Sequence, residues 1–336
     1  MTQAPLPTLP RVSVIMPVLN EERHLEVAVA QILKQDYQGE LEIVMAVGPS
    51  KDRTREVADA LSVLHGNVIV VANPTGKTPA GLNFAIARAT GDVVVRVDGH
   101  AMIPTDYVTC GVSTLRETGA DNVGGIMAAT GTSPFEEAVA RAMTSKFGVG
   151  GAAFHVGGQA GPALTVYLGC FRADALARVQ GYDETMERAQ DWEMNFRIRQ
   201  TGGTVWFTPT MQVEYRPRPT VAALARQYHD YGRWRREVAR RHPETLSLRY
   251  LAAPVAALLL IAGLVVGGIG VVGGLSWLAI LGFAMPIGYL LANIFACLMT
   301  VASKPSLPIR AALWLPTVFA TMHGAWGLGF LRGVKR

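Results

Sequence analysis

The stretch Asp92-Val93-Val94-Val95-Arg96-Val97, followed at once by Asp98-Gly99-His100, is the clearest sign of fold and site in this chain of 336 residues. A short, β-branched apolar run of this kind is typical of a strand buried on both faces of a parallel sheet. An acid and an imidazole, two residues apart, follow it directly. Since ligands of open α/β sheets bind beyond the carboxyl ends of the strands, the stretch predicts a core strand that ends at a ligand site.

Three strand–helix units with the same pattern precede this stretch. Apolar strands that alternate with periodic helices predict a parallel α/β sheet with right-handed crossovers. Polar or glycine-bearing segments follow each strand, among them Asn20, which we expect to cap the first helix. The expected strands are Val12–Val18, Leu41–Val47 and Val68–Ala72, and the expected helices are Leu25–Leu33, Thr54–Leu64 and a segment near Ala80–Ala89.

Asp98 is a candidate ligand for a divalent cation. A cation that bridges two phosphates needs a carboxylate fixed by rigid backbone, and His100 could supply a second ligand to Mn²⁺. The alternative is a turn at the strand end in which Asp98 only caps backbone groups. This stretch on its own favours that alternative.

Asp191 lies at the start of a predicted helix, in Gln190-Asp191-Trp192-Glu193. A general base must sit on rigid backbone close to the hydroxyl that it deprotonates, and a helix start provides such a support. An acid at this position is also a common helix cap. The local sequence does not distinguish between the two roles.

Basic and aromatic side chains are mixed in the stretch from Arg226 to Arg236, just before a long apolar tail. One interpretation is a helix at the membrane surface whose arginines contact lipid headgroups. The other is that some of these cations stabilise a pyrophosphate leaving group as its charge develops. The stretch is long enough for both, one on each face.

The net charge of +5 is unevenly distributed along the chain. Residues 1–221 contain 19 Lys and Arg against 23 Asp and Glu. Residues 222–249 contain seven Arg and three acids, and residues 250–336 contain five basic residues and no acid. A nucleic-acid-binding domain would carry the positive excess on its folded module. Because the excess lies in and beside the apolar tail, we expect no nucleic-acid partner.

The tail contains the uncharged segment Tyr250–Ser303, far longer than the roughly 20 residues that cross a bilayer. Two glycines near its middle predict a helical hairpin, with spans near Tyr250–Val272 and Leu275–Val301. A third apolar stretch, Ala311–Leu331, is expected to be either a span or an interfacial helix.

The positive-inside rule places the Arg-rich stretch, Lys304 and Arg310 in the cytoplasm. We therefore expect a multi-pass protein of the inner or plasma membrane with a cytoplasmic catalytic domain and no secretory signal. The cysteines are scattered and indicate neither a disulfide framework nor a zinc site. They are Cys110, Cys170 and Cys297.

Six motifs, taken in order, resemble those of the family 2 glycosyltransferases of GT-A fold. The resemblance covers about Arg11 to Trp234. Within the family, Phe147–Gly151 and Tyr231–Arg233 beside a hydrophobic tail look most like the succinoglycan glucosyltransferase (ExoA-like) branch. The six motifs are Pro17–Glu22, Ser50–Thr54, Asn73 with Lys77 and Asn83, Asp98–His100, Gly181–Glu184, and Asp191.

The resemblance implies an inverting transfer from a nucleotide-diphosphate sugar, with a UDP-sugar as the expected donor and Mg²⁺ or Mn²⁺ as the cofactor. It also implies a role for each matching residue. Pro17, Val18, Asn20 and Glu22 would line the nucleoside pocket, Asp52 and Lys77 would approach the nucleotide, Asp98 with His100 would hold the cation, Asp191 would be the general base, and Arg233 and Trp234 would hold the diphosphate and the acceptor.

The chain departs from the family pattern at four places. Val47-Gly48 replaces the usual pair of acids at the end of the second strand, and His100 replaces the last acid of the metal motif. Gln190 replaces the Glu that commonly precedes the base, and Asp230 replaces the Gln or Arg expected three residues before Arg233.

The expected organisation is a disordered lead-in (1–10), a GT-A domain with a Rossmann-like mixed sheet (11–221), a basic aromatic juxtamembrane segment (222–249) and a membrane domain of two to three helices (250–336). We expect an enzyme that transfers a sugar to a hydroxyl of a lipid-linked or surface glycan. Two alternatives stay open at this point: a polyprenyl-phosphate sugar synthase, and a non-catalytic membrane protein that binds nucleotide sugars.

Overall fold

The computed structural model describes residues 4–303 and 305–334. By packing, the chain divides into two compact units. The sheet unit comprises Met1–Ala128 and Ala153–Tyr215, and the helical unit comprises Ala129–Ala152 and Arg216–Arg336. Lys304, which entered the orientation argument, lies outside the described residues.

The sheet unit is built on one mixed sheet. The strands are β1 (Val12–Val18), β2 (Leu41–Val47), β3 (Val68–Ala72), β4 (Val93–Arg96), β5 (Asn122–Ala129), β6 (Gly161–Pro162), β7 (Tyr167–Arg172) and β8 (Val205–Tyr215). Their order across the sheet is β3-β2-β1-β4-β7-β5-β8-β6. The first four strands are parallel, as predicted, whereas β7 is antiparallel to both β4 and β5. The expected mixed α/β sheet is confirmed.

Helices of the sheet unit cover both faces of this sheet, and the other helices belong to the helical unit. In chain order the helices are α1 (Leu25–Leu33), α2 (Thr54–Leu64), α3 (Thr78–Arg88), α4 (Tyr107–Thr118), α5 (Pro134–Met143), α6 (Lys146–Val149), α7 (Ala153–Val156), α8 (Ala173–Arg178), α9 (Gln190–Gln200), α10 (Val221–Arg241), α11 (Leu248–Val272), α12 (Ser276–Ala302), α13 (Ile309–Ala312) and α14 (Leu315–Arg332), with a 3₁₀ turn at Pro243–Thr245.

Alternating residues of β1 point into two different hydrophobic clusters. Val14 and Met16 pack with residues of α1, α2 and α4 on one face. Ile15 packs with residues of α3, α8 and α9 on the other. Such double burial is the reason why the central strands are continuous apolar runs. It also holds the strand ends in fixed register.

The prediction that Asn20 caps α1 is wrong. The helix begins at Leu25, its N-cap position is His24, and no side chain caps it. Asn20 instead adopts a left-handed conformation (φ 57°). Its side-chain oxygen accepts a hydrogen bond from the backbone N–H of Lys51 (2.7 Å). Asparagine tolerates this conformation better than most residues, so Asn20 serves the loop rather than the helix.

The helical unit contains two helices that are long and apolar enough to cross a membrane, as far as the described residues go. They are α11 and α12, with mean hydropathies of 2.7 and 1.9. Gly274, at φ 68°, lies in the turn between them. The two backbones approach closely at Gly263 and Gly282, where a Cβ on Gly263 would lie 2.6 Å from the Gly282 carbonyl oxygen. Small residues at such crossings are typical of packed membrane helices.

The third apolar stretch forms α14, which is not one of these two candidate spans. It packs against α10, and a Cβ on Gly232 of α10 would lie 2.0 Å from the Trp326 carbonyl oxygen. Arg233 and Arg236 of α10 donate to carbonyl groups at the carboxyl end of α14. Cations are favourable at that end of a helix because they complement its dipole.

Candidate active site

The loops that follow β1 and β2 are tied to each other by hydrogen bonds at the carboxyl edge of the sheet. Besides the bond between Asn20 and Lys51, the Glu22 side chain accepts from the backbone N–H of Arg53 (2.9 Å). Asp52 accepts from the backbone N–H groups of Glu22 (3.3 Å) and Thr54 (3.1 Å). Hydrogen bonds from Thr54 lower the pKa of Asp52. The predicted nucleotide-binding residues of these loops therefore lie together.

Val18 and Pro17 belong to β1 itself. The Val18 side chain is buried in the hydrophobic core, and its carbonyl accepts from the backbone N–H of Gly48 (2.8 Å). Pro17 is partly exposed. The side chain of Val18 therefore supports the strand end.

Asp98 and Asp191 are both held by Arg96, at the end of β4. The Arg96 Nε and Nη2 atoms each lie 3.0 Å from Asp98 Oδ1. Arg96 Nη1 donates to Asp191 Oδ1. The Arg96 side chain is 4% exposed, whereas the two carboxylates are 23% and 22% exposed. One buried cation thus brings together two carboxylates that are 93 positions apart in the sequence.

Asp191 lies in the first turn of α9 and does not cap it. The N-cap position is Ala189, which has a left-handed conformation (φ 58°). Burial raises the pKa of Asp191 to about 6, although the Arg96 charge lowers it and the Asp98 charge raises it further. A carboxyl group with a pKa close to neutral is suited to general acid–base chemistry.

His100 forms a pair with Glu21 in which Nδ1 lies 2.7 Å from Glu21 Oε1. An ionised carboxylate can only accept, so Nδ1 carries the proton in this pair. A carboxylate behind a histidine is the usual arrangement when that histidine binds a metal. Gly99 permits the close approach, since a Cβ there would lie 3.2 Å from Glu21 Cγ.

Asp98 and His100 offer donor types that suit a divalent cation, whose remaining ligands would come from a substrate. Within residues 4–303 and 305–334, no group of three His, Cys, Asp or Glu side chains is arranged to hold a metal ion. Arg96 uses only the Oδ1 atom of Asp98, so Oδ2 makes no hydrogen bond to the described part of the protein. A carboxylate oxygen and an imidazole are donors that Mn²⁺ accepts, and phosphate oxygens commonly complete such sites.

Lys77, at the N-cap position of α3, pairs with Glu187 at 3.3 Å. Both side chains are about half exposed. The pair connects the loop after β3 to the segment that leads into α9. Because exposed pairs contribute little to stability, Lys77 can exchange this partner for a phosphate at small cost.

Arg233 and Trp234 belong to the helical unit. The Arg233 Nε atom donates to the Gly333 carbonyl (3.1 Å), and its Nη1 atom lies 3.4 Å from Asp230. Trp234 is buried. Within this unit Arg233 therefore takes part in packing between α10 and the end of α14. Their expected contact with diphosphate and acceptor stays a prediction.

Arg96 and Asn83 are the site residues whose role the sequence reasoning missed. Asn83 was noticed only as part of a motif, and Arg96 was noticed only as part of a strand. A single Arg in an otherwise all-valine strand is a usable signal, because a buried guanidinium requires anionic partners.

Comparison with known proteins supports the expected family. The model of the family described as "Glycosyl transferase family 2" matches residues 13–177. The succinoglycan biosynthesis protein ExoA of Rhizobium meliloti (strain 1021) is 31% identical over 333 residues, which cover 95% of this chain and 93% of that protein. A dolichyl N-acetyl-alpha-D-glucosaminyl phosphate 3-beta-D-2,3-diacetamido-2,3-dideoxy-beta-D-glucuronosyltransferase of Methanococcus voltae is 25% identical over 230 residues, covering 66% of this chain and 71% of that protein.

Two solved structures show the same fold at low sequence identity. The mannosyltransferase PcManGT from Pyrobaculum calidifontis, in complex with GDP-Man and Mn2+, aligns with a TM-score of 0.59 and 20% identity over 96% of this chain and 88% of that one. S. aureus TarS 1-349, in complex with UDP-GlcNAc, aligns with a TM-score of 0.51 and 16% identity over 96% and 90% of the two chains. Together with the ExoA identity over nearly the whole of both sequences, the match across the strands that carry the site establishes that this chain is an ExoA-like member of glycosyltransferase family 2 with the GT-A fold.

Proposed function

We propose that this enzyme is a membrane-anchored inverting glycosyltransferase that moves a sugar from a nucleotide-diphosphate sugar to a hydroxyl group of a lipid-linked glycan. The observation that carries the proposal is the placement of Asp98 and Asp191 on one buried guanidinium at the carboxyl edge of the sheet. Two carboxylates in different environments can perform different tasks, one binding the donor and the other handling a proton.

Asp191 is the general base of the proposed reaction. It accepts the proton of the acceptor hydroxyl while that oxygen attacks the anomeric carbon from the face opposite the leaving nucleotide diphosphate. The new glycosidic bond forms as the bond from the anomeric carbon to the phosphate oxygen breaks, so the configuration inverts. With a pKa of about 6, most of the Asp191 population is ionised at neutral pH.

The donor occupies the carboxyl edge of the sheet. The loops that contain Asn20, Glu22 and Asp52 receive the nucleoside, and Lys77 exchanges Glu187 for a phosphate oxygen. Asp98 and His100 are the residues that would hold Mg²⁺ or Mn²⁺, which when bound would neutralise the charge on the departing diphosphate. The GDP-Man and Mn2+ found with the Pyrobaculum structure support a nucleotide-sugar donor and a divalent cation.

Two further observations support a lipid-linked acceptor at the membrane. The Methanococcus relative is named for a transfer to a dolichyl phosphate-linked sugar, and ExoA is named for the biosynthesis of a polysaccharide. The helices α11 and α12 are apolar enough to anchor the enzyme at the membrane where such acceptors reside. The positive-inside rule puts the Arg-rich α10, and with it the catalytic unit, on the cytoplasmic side.

The proposal is tested by a donor screen on the purified full-length enzyme. Several nucleotide sugars, UDP- and GDP-linked, are offered with a membrane lipid extract, with and without Mg²⁺ or Mn²⁺. Asp191→Asn should reduce transfer to a hydroxyl acceptor by about 10²- to 10⁴-fold while nucleotide binding persists. Asp59→Asn, an exposed acid of α2 paired with Arg55, is the matched control and should transfer normally.

Near-normal transfer by Asp191→Asn would overturn the assignment of the base. It would favour a polyprenyl phosphate as the acceptor, because an ionised phosphate has no proton for a base to remove. If the enzyme binds nucleotide sugars but transfers no sugar from any of them to the lipid extract, the proposal of a lipid-linked hydroxyl acceptor is contradicted.

A further inference from the structure

Arg96 has no role in the reaction as proposed above, yet it is more deeply buried than either carboxylate that it contacts. Its guanidinium uses the Nε–Nη2 edge for Asp98 and Nη1 for Asp191. The ring of Tyr182 lies 6.0 Å from the guanidinium carbon. Each group that approaches Arg96 in these contacts thus belongs to the candidate site.

The charge on Arg96 is permanent. Burial by itself would lower the pKa of Arg96, but Asp191 and Asp98 raise it well above its usual value. A buried guanidinium is costly unless it is paired and hydrogen-bonded, and here two carboxylates compensate it. The arrangement has a net charge of −1 when both carboxylates are ionised, so the two acids compete for one cation.

The contact also restricts the orientation of Asp191. Arg96 holds the Oδ1 atom, so the carboxylate cannot rotate without losing a charge-assisted hydrogen bond. Oδ2 makes no hydrogen bond to the described part of the chain and is the atom left to receive a proton. A base that is already held in one orientation loses less conformational entropy when it reaches the geometry needed for proton transfer.

We propose that Arg96 is a positioning residue for glycosyl transfer, which holds the Asp191 carboxylate in one orientation through Oδ1 while sharing its charge with Asp98. This inference rests on the proposed function, in which Asp191 is the base. The charged or titratable groups that face Asp191 are Arg96 at the end of β4, Asp98 directly after it, and Tyr182 from the turn before α9.

Three variants and one control test the proposal. Arg96→Gln removes the cation, Arg96→Lys keeps the charge but loses the fork that bridges two carboxylates, and Asp98→Asn removes the competing acid. Arg172→Gln is the matched control. Arg172 is also a buried strand arginine, paired with Asp174 at 3.0 Å, but it lies opposite Val93 at the other end of β4.

The first readout is the rate of transfer as a function of pH. Arg96→Gln should lower kcat by about a hundredfold, with a smaller change in the KM for the donor, and should move the acid limb of the profile to higher pH. The acid limb moves to higher pH because loss of the neighbouring cation disfavours the ionised form of Asp191. Arg96→Lys should give partial rescue, with a smaller shift of the same limb. Arg172→Gln should lower stability and leave the limb in place.

The second readout needs no turnover. The infrared carboxyl band of Asp191, obtained as the difference between each protein and its Asp191→Asn counterpart, is titrated in the absence of donor. Its midpoint should move up in Arg96→Gln and down in Asp98→Asn. A role confined to folding would not produce shifts of opposite sign.

An unchanged midpoint in folded Arg96→Gln, or a shift in the same direction in both variants, would overturn the inference. If Arg96→Gln does not fold, Arg96→Lys is the variant that tests the inference. An acid limb at the wild-type pH together with full kcat in Arg96→Lys would overturn the inference. If the wild-type enzyme transfers no sugar while the Arg96→Gln and Asp98→Asn variants show the opposed infrared shifts, the proposed function is refuted and the coupling of Arg96 to Asp191 stands.

Discussion

Asn83 of α3 and Tyr182, 99 positions apart, are joined by two hydrogen bonds. Asn83 Oδ1 accepts from the Tyr182 backbone N–H (2.8 Å), and Asn83 Nδ2 donates to the Tyr182 carbonyl (2.9 Å). Gly181 has φ 70°, and a Cβ there would lie 2.5 Å from Asn83 Oδ1. Asn83 therefore fixes the turn that presents the Tyr182 ring to Arg96.

We expect Asn83→Ala to lower the free energy of unfolding by about 1–3 kcal/mol, because it leaves two backbone groups without their partner. Since the turn precedes Asp191, kcat should fall as well. Chemical denaturation and steady-state kinetics in detergent measure the two effects. The control is Asn67→Ala, an exposed residue with one hydrogen bond to the Leu41 carbonyl (3.0 Å). Equal losses in both variants would contradict the role of Asn83.

The wild-type enzyme should need an ionised Asp191. Burial raises the pKa of this carboxyl to about 6, against the opposing effect of Arg96. We therefore expect kcat/KM for transfer to rise with pH through about 6 and to level off above it. The measurement is a pH–rate profile at subsaturating donor. A profile that stays flat between about pH 5 and pH 7 would exclude Asp191 as the group that limits the rate.

The first half of the sheet unit could be predicted from the sequence almost residue for residue. The strands Val12–Val18, Leu41–Val47 and Val68–Ala72 match the structure because each is a short apolar run closed by polar or glycine residues. The helices Leu25–Leu33 and Thr54–Leu64 also match. In this region the local hydrophobic pattern and the burial in the fold agree, so the pattern alone is sufficient to assign the strands and helices.

The rest depended on contacts between distant parts of the chain. The insertion of β7 between β4 and β5, antiparallel to both, has no local signature. Asp191 could be proposed from its place at a helix start, but its partner Arg96 could not, because that pairing exists only once α9 is packed beside β4. Asn20 was assigned to the nearest helix, whereas a hydrogen bond to Lys51 across two loops determines its conformation.

Glu42 of β2 should make stability depend on pH. It accepts hydrogen bonds from Ser13 Oγ (2.6 Å) and from the Thr90 backbone N–H (2.7 Å). Burial by itself raises the pKa of Glu42, but these hydrogen bonds and the charge of Arg11 outweigh burial and hold the pKa below its usual value. A carboxyl whose pKa is depressed on folding stabilises the protein above its unfolded pKa, and this contribution is lost as the pH falls through the folded pKa.

Glu42→Gln should therefore lower the free energy of unfolding at neutral pH by about 1–3 kcal/mol, because a neutral amide cannot replace a carboxylate that accepts from every partner. It should also weaken the decline of stability from neutral pH down to about pH 3. Denaturation at a series of pH values measures both effects. Glu40→Gln is the control, since that side chain is 80% exposed and lies 3.7 Å from Arg11. An identical pH dependence in wild type and Glu42→Gln would refute the prediction.

In the helical unit, two glycines set the distance between α10 and α14. A Cβ on Gly232 would lie 2.0 Å from the Trp326 carbonyl oxygen, and a Cβ on Gly329 would lie 2.0 Å from the His229 carbonyl oxygen. Both obstructions are backbone atoms, so a methyl group can be accommodated only if one helix moves. The hydrogen bond from Arg233 to the Gly333 carbonyl depends on the same separation.

Gly232→Ala should destabilise this unit by at least about 1–3 kcal/mol through overpacking, even though alanine is the better helix former. Gly324→Ala is the matched control, because Gly324 lies in the partner helix α14 and a Cβ there would meet no atom within 4 Å. That variant should keep or slightly raise the unfolding temperature, since only the gain in helix propensity remains. Thermal unfolding of the two variants in detergent distinguishes packing from propensity. If both variants unfold at the wild-type temperature or above it, the two helices do not pack through Gly232, and the bond that holds Arg233 at the end of α14 is not required for stability.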